Sequence, residues 1–160
     1  MAIDPAPLLL SLKLAILSTI GLYLLGLSLV FLAYSFRWLR TIIKVFANLP
    51  LVLPPTVIGY YLLVAMNPES CLGIVFEEVT GNGLVFSFSG LVFASLIIGM
   101  PFMLNPIISG LENLPSSLEE AAYTFGKSKF ITFFKVLLPN IRPSLIVAGV
   151  MVFAHTVGEF

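Results

Sequence analysis

Apolar residues run in four long blocks separated by short polar ones, and no lysine, arginine, aspartate or glutamate falls within 14–36, 45–68, 79–111 or 143–158. A bilayer core about 30 Å thick takes about 20 residues of helix at about 1.5 Å each. The first three blocks are long enough, and the fourth is slightly short. The pattern predicts an all-α polytopic membrane protein with about four transmembrane helices, near 8–35, 45–66, 89–111 and 141–160, in a single domain over 1–160. A more polar stretch, 112–140, separates the third span from the fourth.

Within the spans the pattern is uneven. Ser11, Ala15, Ser18 and Thr19, with Gly21 and Gly26 beyond them, give the first span a face small enough for close helix approach, and Lys13 near its start can snorkel to the headgroups. The second span carries Pro50, Pro54, Pro55 and Gly59. Each proline removes a backbone donor and disfavours helical geometry in the residue before it, so a uniform helix is not expected. Broken backbone at membrane depth needs protein or a water-filled cavity around it. Pro55, Thr56 and Gly59 are therefore candidates to border a translocation path, the alternative being a kink that serves packing alone. The third span contains Pro101, Pro106 and Asn105, the last read as an interhelical hydrogen-bonding group, and it follows a turn and short extended piece at 81–90. Glu159, some 28 Å beyond Asn140 at about 1.5 Å per residue, is expected at the far interface.

The polar connections set the orientation. RWLRTIIK, with Arg37, Arg40, Lys44 and the interfacial Trp38, reads as a short connection, and with Lys127, Lys129, Lys135 and Arg142 it is assigned to the cytoplasm by the positive-inside rule. Residues 67–90 hold Glu69, Glu77 and Glu78 with no Lys or Arg and are placed outside. The N-terminus is then outside. No cleavable signal is evident at MAIDPAP.

Composition agrees. A mean hydropathy of +1.08, with 59% hydrophobic and 10% charged residues, lies far from soluble proteins, in which about a quarter of residues are charged. The net charge of zero says nothing about nucleic acid, and no basic block suggests it, so no nucleic-acid partner is expected. The lone Cys71 excludes an internal disulfide and fits no metal site. No catalytic group, cofactor site or metal set is evident, so the chain is not expected to be an enzyme. Gly126-Lys127-Ser128 imitates the end of a phosphate-binding loop, but the position that needs its first glycine is Ala121.

Residues 116–139, SSLEEAAYTFGKSKFITFFKVLLP, form a partly charged island between apolar spans. Ser116 with Glu119, and Ser117 with Glu120, make two overlapping capping boxes, which predict a helix start. Gly126 is placed to end that helix in the left-handed conformation. Ser128 then caps a second helix, 129–138, with Phe130, Phe133, Phe134 and Leu137 at helical spacing before Pro139 stops it. The expected result is a two-helix elbow that exposes Ala121 and Ala122 beside a carboxylate, suited to a partner's groove.

Glu120-Ala121-Ala122, three residues, Gly126, nine residues, then Val136, Leu138 and Pro139 resemble the EAA loop of the permease subunits of ATP-binding-cassette importers, with Val136 in place of the usual isoleucine. Leu49 to Leu63, LPLVLPPTVIGYYLL, with Gly158, Glu159 and Phe160, look most like the molybdate permeases of that superfamily; sulfate and tungstate permeases share much of the pattern. The resemblance covers 8–160. It implies a bacterial inner-membrane, multi-pass homodimer in membrane lipid, served by an extracytoplasmic substrate-binding protein. A cytoplasmic ATPase subunit would hydrolyse the ATP. Glu120 would meet that ATPase with Ala121 and Ala122 as packing surface, Gly126 as the elbow, and Leu138 and Pro139 ending the motif. Related sequences often carry arginine where this chain has Tyr123 and His155. They also often continue past GEF with a further span, so an incomplete permease, or a remnant that docks the ATPase without transporting, are the expectations there. A self-contained channel or ion-coupled carrier would place paired ionisable groups mid-membrane, and the pattern of spans shows none.

Overall fold

A computed structural model describes residues 6–159, which form eight helices with no strand among them. The long α1 (Ala6–Ser35) and α5 (Phe88–Glu112) are the two helices long and apolar enough to cross a bilayer unbroken. Pro101 and Pro106 lie inside α5 without ending it. The other two expected spans are bent pairs. In the second span, α2 (Arg37–Val52) and α3 (Pro55–Met66) meet at 114°. In the fourth, α7 (Lys129–Asn140) meets α8 (Arg142–Glu159) at 77°.

The break in the second span falls where the prolines put it. Leu53 and Pro54 are extended, with ψ of 142° and 140°, because each precedes a proline. Pro55 opens α3 at a position where its missing N–H costs nothing. Upstream, RWLRTIIK is not the short connection expected: after Phe36 alone, Arg37 begins α2. Arg40, Lys44 and Asn48 recur every four residues and so share one helix face. That face docks on α5. Arg40 and Lys44 both pair with Glu112, and Asn48 and Asn105 exchange side-chain amide bonds of 2.7 and 3.2 Å. Asn105 thus bridges helices as its position suggested, with an amide partner, Asn48, that the sequence reading passed over. Replacing either asparagine by leucine strands its partner beside apolar helices and is expected to cost about 1 kcal/mol. Thermal unfolding of Asn48→Leu, Asn105→Leu and the double variant should show the double no worse than either single.

Between α3 and α5 the chain also forms α4 (Cys71–Thr80), which the sequence reading did not anticipate. Ser70 caps it by accepting from Gly73 N–H, and Gly81, with φ of 70°, ends it left-handed. The extended piece expected over 81–90 is a turn, and Ser87 caps α5 by accepting from Gly90 N–H.

α5 is central. One side shares a core with α1, α7 and α8 through Leu22, Met103, Ile107, Phe133 and Val152, none measurably exposed. Its other side takes Ile58, Leu62 and Met66 of α3 against Phe93 and Ile97. Ser11, Ala15, Ser18 and Gly26 of α1 are buried, as their small face predicts. Lys13 places its ammonium 4.9 Å from the centre of the Phe88 ring, a cation–π contact between the second turn of α1 and the start of α5.

Candidate functional site

The segment between α5 and α8 folds into an elbow. α6 (Ser116–Thr124) starts after Pro115, and neither Ser116 nor Ser117 forms its capping box: Pro115 occupies the cap, and no side-chain cap bond is made. Proline's fixed φ suits the entry to the first turn, so the serines become part of the helix itself. The exit follows the sequence. Gly126 has φ of +69° with open space around it. Gly126 N–H reaches Tyr123 O at 2.9 Å and Lys127 N–H reaches Ala122 O at 3.0 Å. These bonds satisfy carbonyls that the end of α6 would otherwise leave bare.

Ser128 then caps α7, its hydroxyl accepting from Ile131 N–H at 3.4 Å. Over Thr132–Leu137 the helix widens into a π turn, Leu138 N–H bonding back five residues to Phe133 O. The widening precedes Pro139, which has no N–H to give a regular turn. Contrary to the expected stop, the helix runs through Pro139 to Asn140 and bends at Ile141, where φ is −106° and ψ 23°. The π turn aims Thr132, Phe133 and Leu137 into the bundle. Phe31 of α1 receives Phe130, Phe133 and Phe134 at ring separations of 5.6, 5.3 and 5.8 Å. Such aromatic contacts make the elbow continuous with the core rather than a loose loop.

The two adjacent carboxylates have different surroundings. Glu119 is turned inward: Tyr34 of α1 and Tyr123 both donate to its Oε1 at 2.9 Å, and the two phenol oxygens are also 2.9 Å apart. Burial pushes the Tyr123 phenol up; the hydrogen bond with Tyr34 acts against it, and the neighbouring Glu119 carboxylate adds to the rise. It therefore remains a proton donor at neutral pH. A tyrosine here holds Glu119 by hydrogen bonds instead of by charge. A cavity of about 410 Å³ lies beside this cluster, bordered by Val30, Arg40, Ile108 and Glu112.

Glu120 is exposed, and its side chain makes no hydrogen bond or ion pair to another described residue; only its backbone carbonyl is used, by Thr124. Ala121 is exposed beside it, as is Pro139. Ala122, expected on the same surface, is buried at 6% exposure. One residue further round the helix, it lies on the side where α6 packs against the π turn of α7. Leu138 is also buried, within the main core. The outer surface of the elbow is thus formed by Glu120 and Ala121, with Phe125 80% and Phe130 59% exposed nearby.

Pro55 lines a second cavity of about 150 Å³ at the break in the second span, together with Pro50, Phe102, His155 and Glu159. Thr56 and Gly59 do not join that set. Thr56 is exposed, and a side chain at Gly59 would meet nothing within 4 Å. Glu159 is the last described residue of α8. It reaches back along α8 so that its Oε1 lies 3.3 Å from His155 Nε2. The His155 ring packs 4.1 Å from that of Phe102, midway along α5. The two form an ionisable pair on one helix face at i and i+4 and both line the cavity at the break in the second span. Phe160, which completes the GEF sequence, is outside the described residues. Among the described residues no group of His, Cys, Asp and Glu could hold a metal.

Known proteins resemble the chain along most of its length. It is 40% identical over 158 residues, 98% of the chain, to the molybdenum transport system permease protein ModB of Azotobacter vinelandii. It is 39% identical over 76% of its length to the protein of the same name from Haemophilus influenzae. It is 32% identical over 79% of its length to a probable sulfate transport system permease protein, cysT, of Chlorella vulgaris. It spans 70%, 53% and 47% of those three proteins respectively. The sequence profile of the binding-protein-dependent transport system inner membrane components matches residues 23–160. That match takes in the elbow and every helix from the latter half of α1 onward, and the chain, a multi-pass α-helical membrane protein, belongs to this family.

Proposed function

We propose that the chain is the permease subunit of an ATP-driven importer of molybdate, passing the oxyanion by alternating access while a separate cytoplasmic ATPase hydrolyses ATP. The observation that carries the coupling role is the elbow. A helix ending at a left-handed glycine, braced on the core by Phe133 and Leu137, presents a free carboxylate and a small residue outward. A partner that grips this surface can pull on α7, and through the Ile141 bend on α8, as one body. Rigid-body movement of that kind is the general mode of alternating access.

In this reading Glu120 and Ala121 meet the ATPase, Gly126 is the hinge, Ala122 and Leu138 tie the elbow to the bundle, and Pro139 lies exposed at the end of the motif. Pro55 borders the translocation path, with Thr56 and Gly59 on the neighbouring face of α3, turned toward a second permease copy. The basic residues of α2, with Lys127, Lys129, Lys135 and Arg142, lie in the cytoplasm with the elbow, and Glu69, Glu77 and Glu78 face an extracytoplasmic binding protein, which puts the N-terminus outside. Similarity over 98% of the chain to a relative named for molybdenum transport favours molybdate, and similarity to cysT supports sulfate as the second reading. Deleting the full-length gene should abolish molybdate accumulation in cells and leave sulfate uptake unchanged, with recovery on complementation. Selective loss of sulfate uptake would move the assignment to sulfate.

A further inference from the structure

Helix α7 lies across the end of the bundle. It meets α8 at 77°, so where α8 crosses the bilayer α7 runs close to the plane of the membrane surface. Its depth is set by α1. Phe31, whose ring receives Phe130 and Phe134, stands four residues, about 6 Å, before the end of that helix at Ser35. Lys129 Nζ donates to Ser35 O at 3.3 Å and so marks the level of that end. Phe133 and Leu137 are buried against the bundle, while Phe130, Ile131 and Phe134 are exposed. Lys127, Lys129 and Lys135 are exposed beside them, with no acidic partner among the described residues. Apolar rings rimmed by basic residues on a helix in the surface plane are the pattern of an interfacial helix. Glu120 and Ala121 lie on α6, before the elbow glycine, so the docking role leaves this face of α7 unused.

We propose that this face binds an anionic phospholipid of the cytoplasmic leaflet, its phosphate held by Lys129 and Lys135 and its acyl chains lying against Phe130 and Phe134. Only the choice of leaflet rests on the orientation proposed above. A carboxylate surface on a soluble partner would match the lysines, but it would leave the rings, level with the last turn of α1, against the acyl chains without a partner. A zwitterionic lipid would cover the rings, but its own cation already offsets its phosphate. An anionic lipid answers both demands, since each lysine can run its stem along the rings and lift its ammonium to the headgroup.

The one tryptophan of the chain, Trp38, is exposed three residues after Ser35, so its fluorescence reports the lipid at this corner. The chain is reconstituted in phosphatidylcholine vesicles containing brominated phosphatidylglycerol or brominated phosphatidylcholine, which quench on contact. A lysine near an anionic headgroup is worth about fivefold in binding, so two should make phosphatidylglycerol the preferred neighbour by about 25-fold at low salt. The preference should shrink as salt rises, and the Lys129→Gln, Lys135→Gln double variant should lose it. The salt titration of the wild type decides the matter should the double variant fail to insert. Equal quenching by the two lipids, a preference indifferent to salt, or one that survives in the double variant overturns the proposal; survival together with lost ATPase capture assigns the face to the ATPase instead. Both leaflets of these vesicles carry the probe, so failure here leaves the orientation and the permease reading standing.

Discussion

Glu120→Arg should reduce co-purification of the cytoplasmic ATPase by about 30-fold or more, since reversing a charge that is desolvated on docking costs about 2–5 kcal/mol. The folded chain should be unaffected, because the Glu120 side chain is exposed and has no partner among the described residues. Its neighbour provides the control. Glu119→Gln leaves the charge of Glu120 in place but weakens the acceptor shared by Tyr34 and Tyr123, so it should lower the thermal stability of the α1–α6 joint while ATPase capture persists. Capture assays on the detergent-solubilised protein, paired with melting curves, separate the two effects. If Glu120→Arg captured the ATPase as well as the wild type does, the elbow would not be the docking surface.

That the two carboxylates differ could not have been read from SSLEEAAY. Both serine–glutamate pairs have capping-box spacing, and only the entry angle fixed by Pro115 decides that neither box forms. The break in the second span was legible, because proline acts on its own backbone and on the residue before it, wherever the helix lies. So was the elbow glycine, since a left-handed exit is a local demand. The first half of α2 does not show as a helix in a count of charges, which bears on topology and not on spacing. Arg40, Lys44 and Asn48 already lay on one helical face, and Glu112 and Asn105, seven residues apart, lie on the matching face of α5. The packing of His155 on Phe102 was out of reach for a different reason. Rise per residue gives distance along α8 but not the crossing that carries His155 onto Phe102.

Gly149→Ala is expected to damage the contact between α1 and α8. A Cβ there would lie 2.3 Å from the Tyr23 phenol oxygen and 3.0 Å from two of its ring carbons. Tyr23 has little room to yield, because its hydroxyl donates to Leu145 O at 2.5 Å, one turn earlier on α8. The ring is thereby pinned across the face of α8, with Gly149 as the recess that receives it. Adding a methyl group forces α1 and α8 apart or frees the hydroxyl. Overpacking costs about 1–3 kcal/mol and a lost hydrogen bond about 1 kcal/mol. For a chain of this size that corresponds to a fall in melting temperature of about 5–15 °C, readable by size-exclusion chromatography of heated, detergent-solubilised protein. Combining it with Tyr23→Phe removes the closest clashing atom, so the double variant should melt above Gly149→Ala alone despite lacking the Leu145 bond. A double variant less stable than the single would mean that the hydrogen bond, and not the close approach at Gly149, sets the α1–α8 contact.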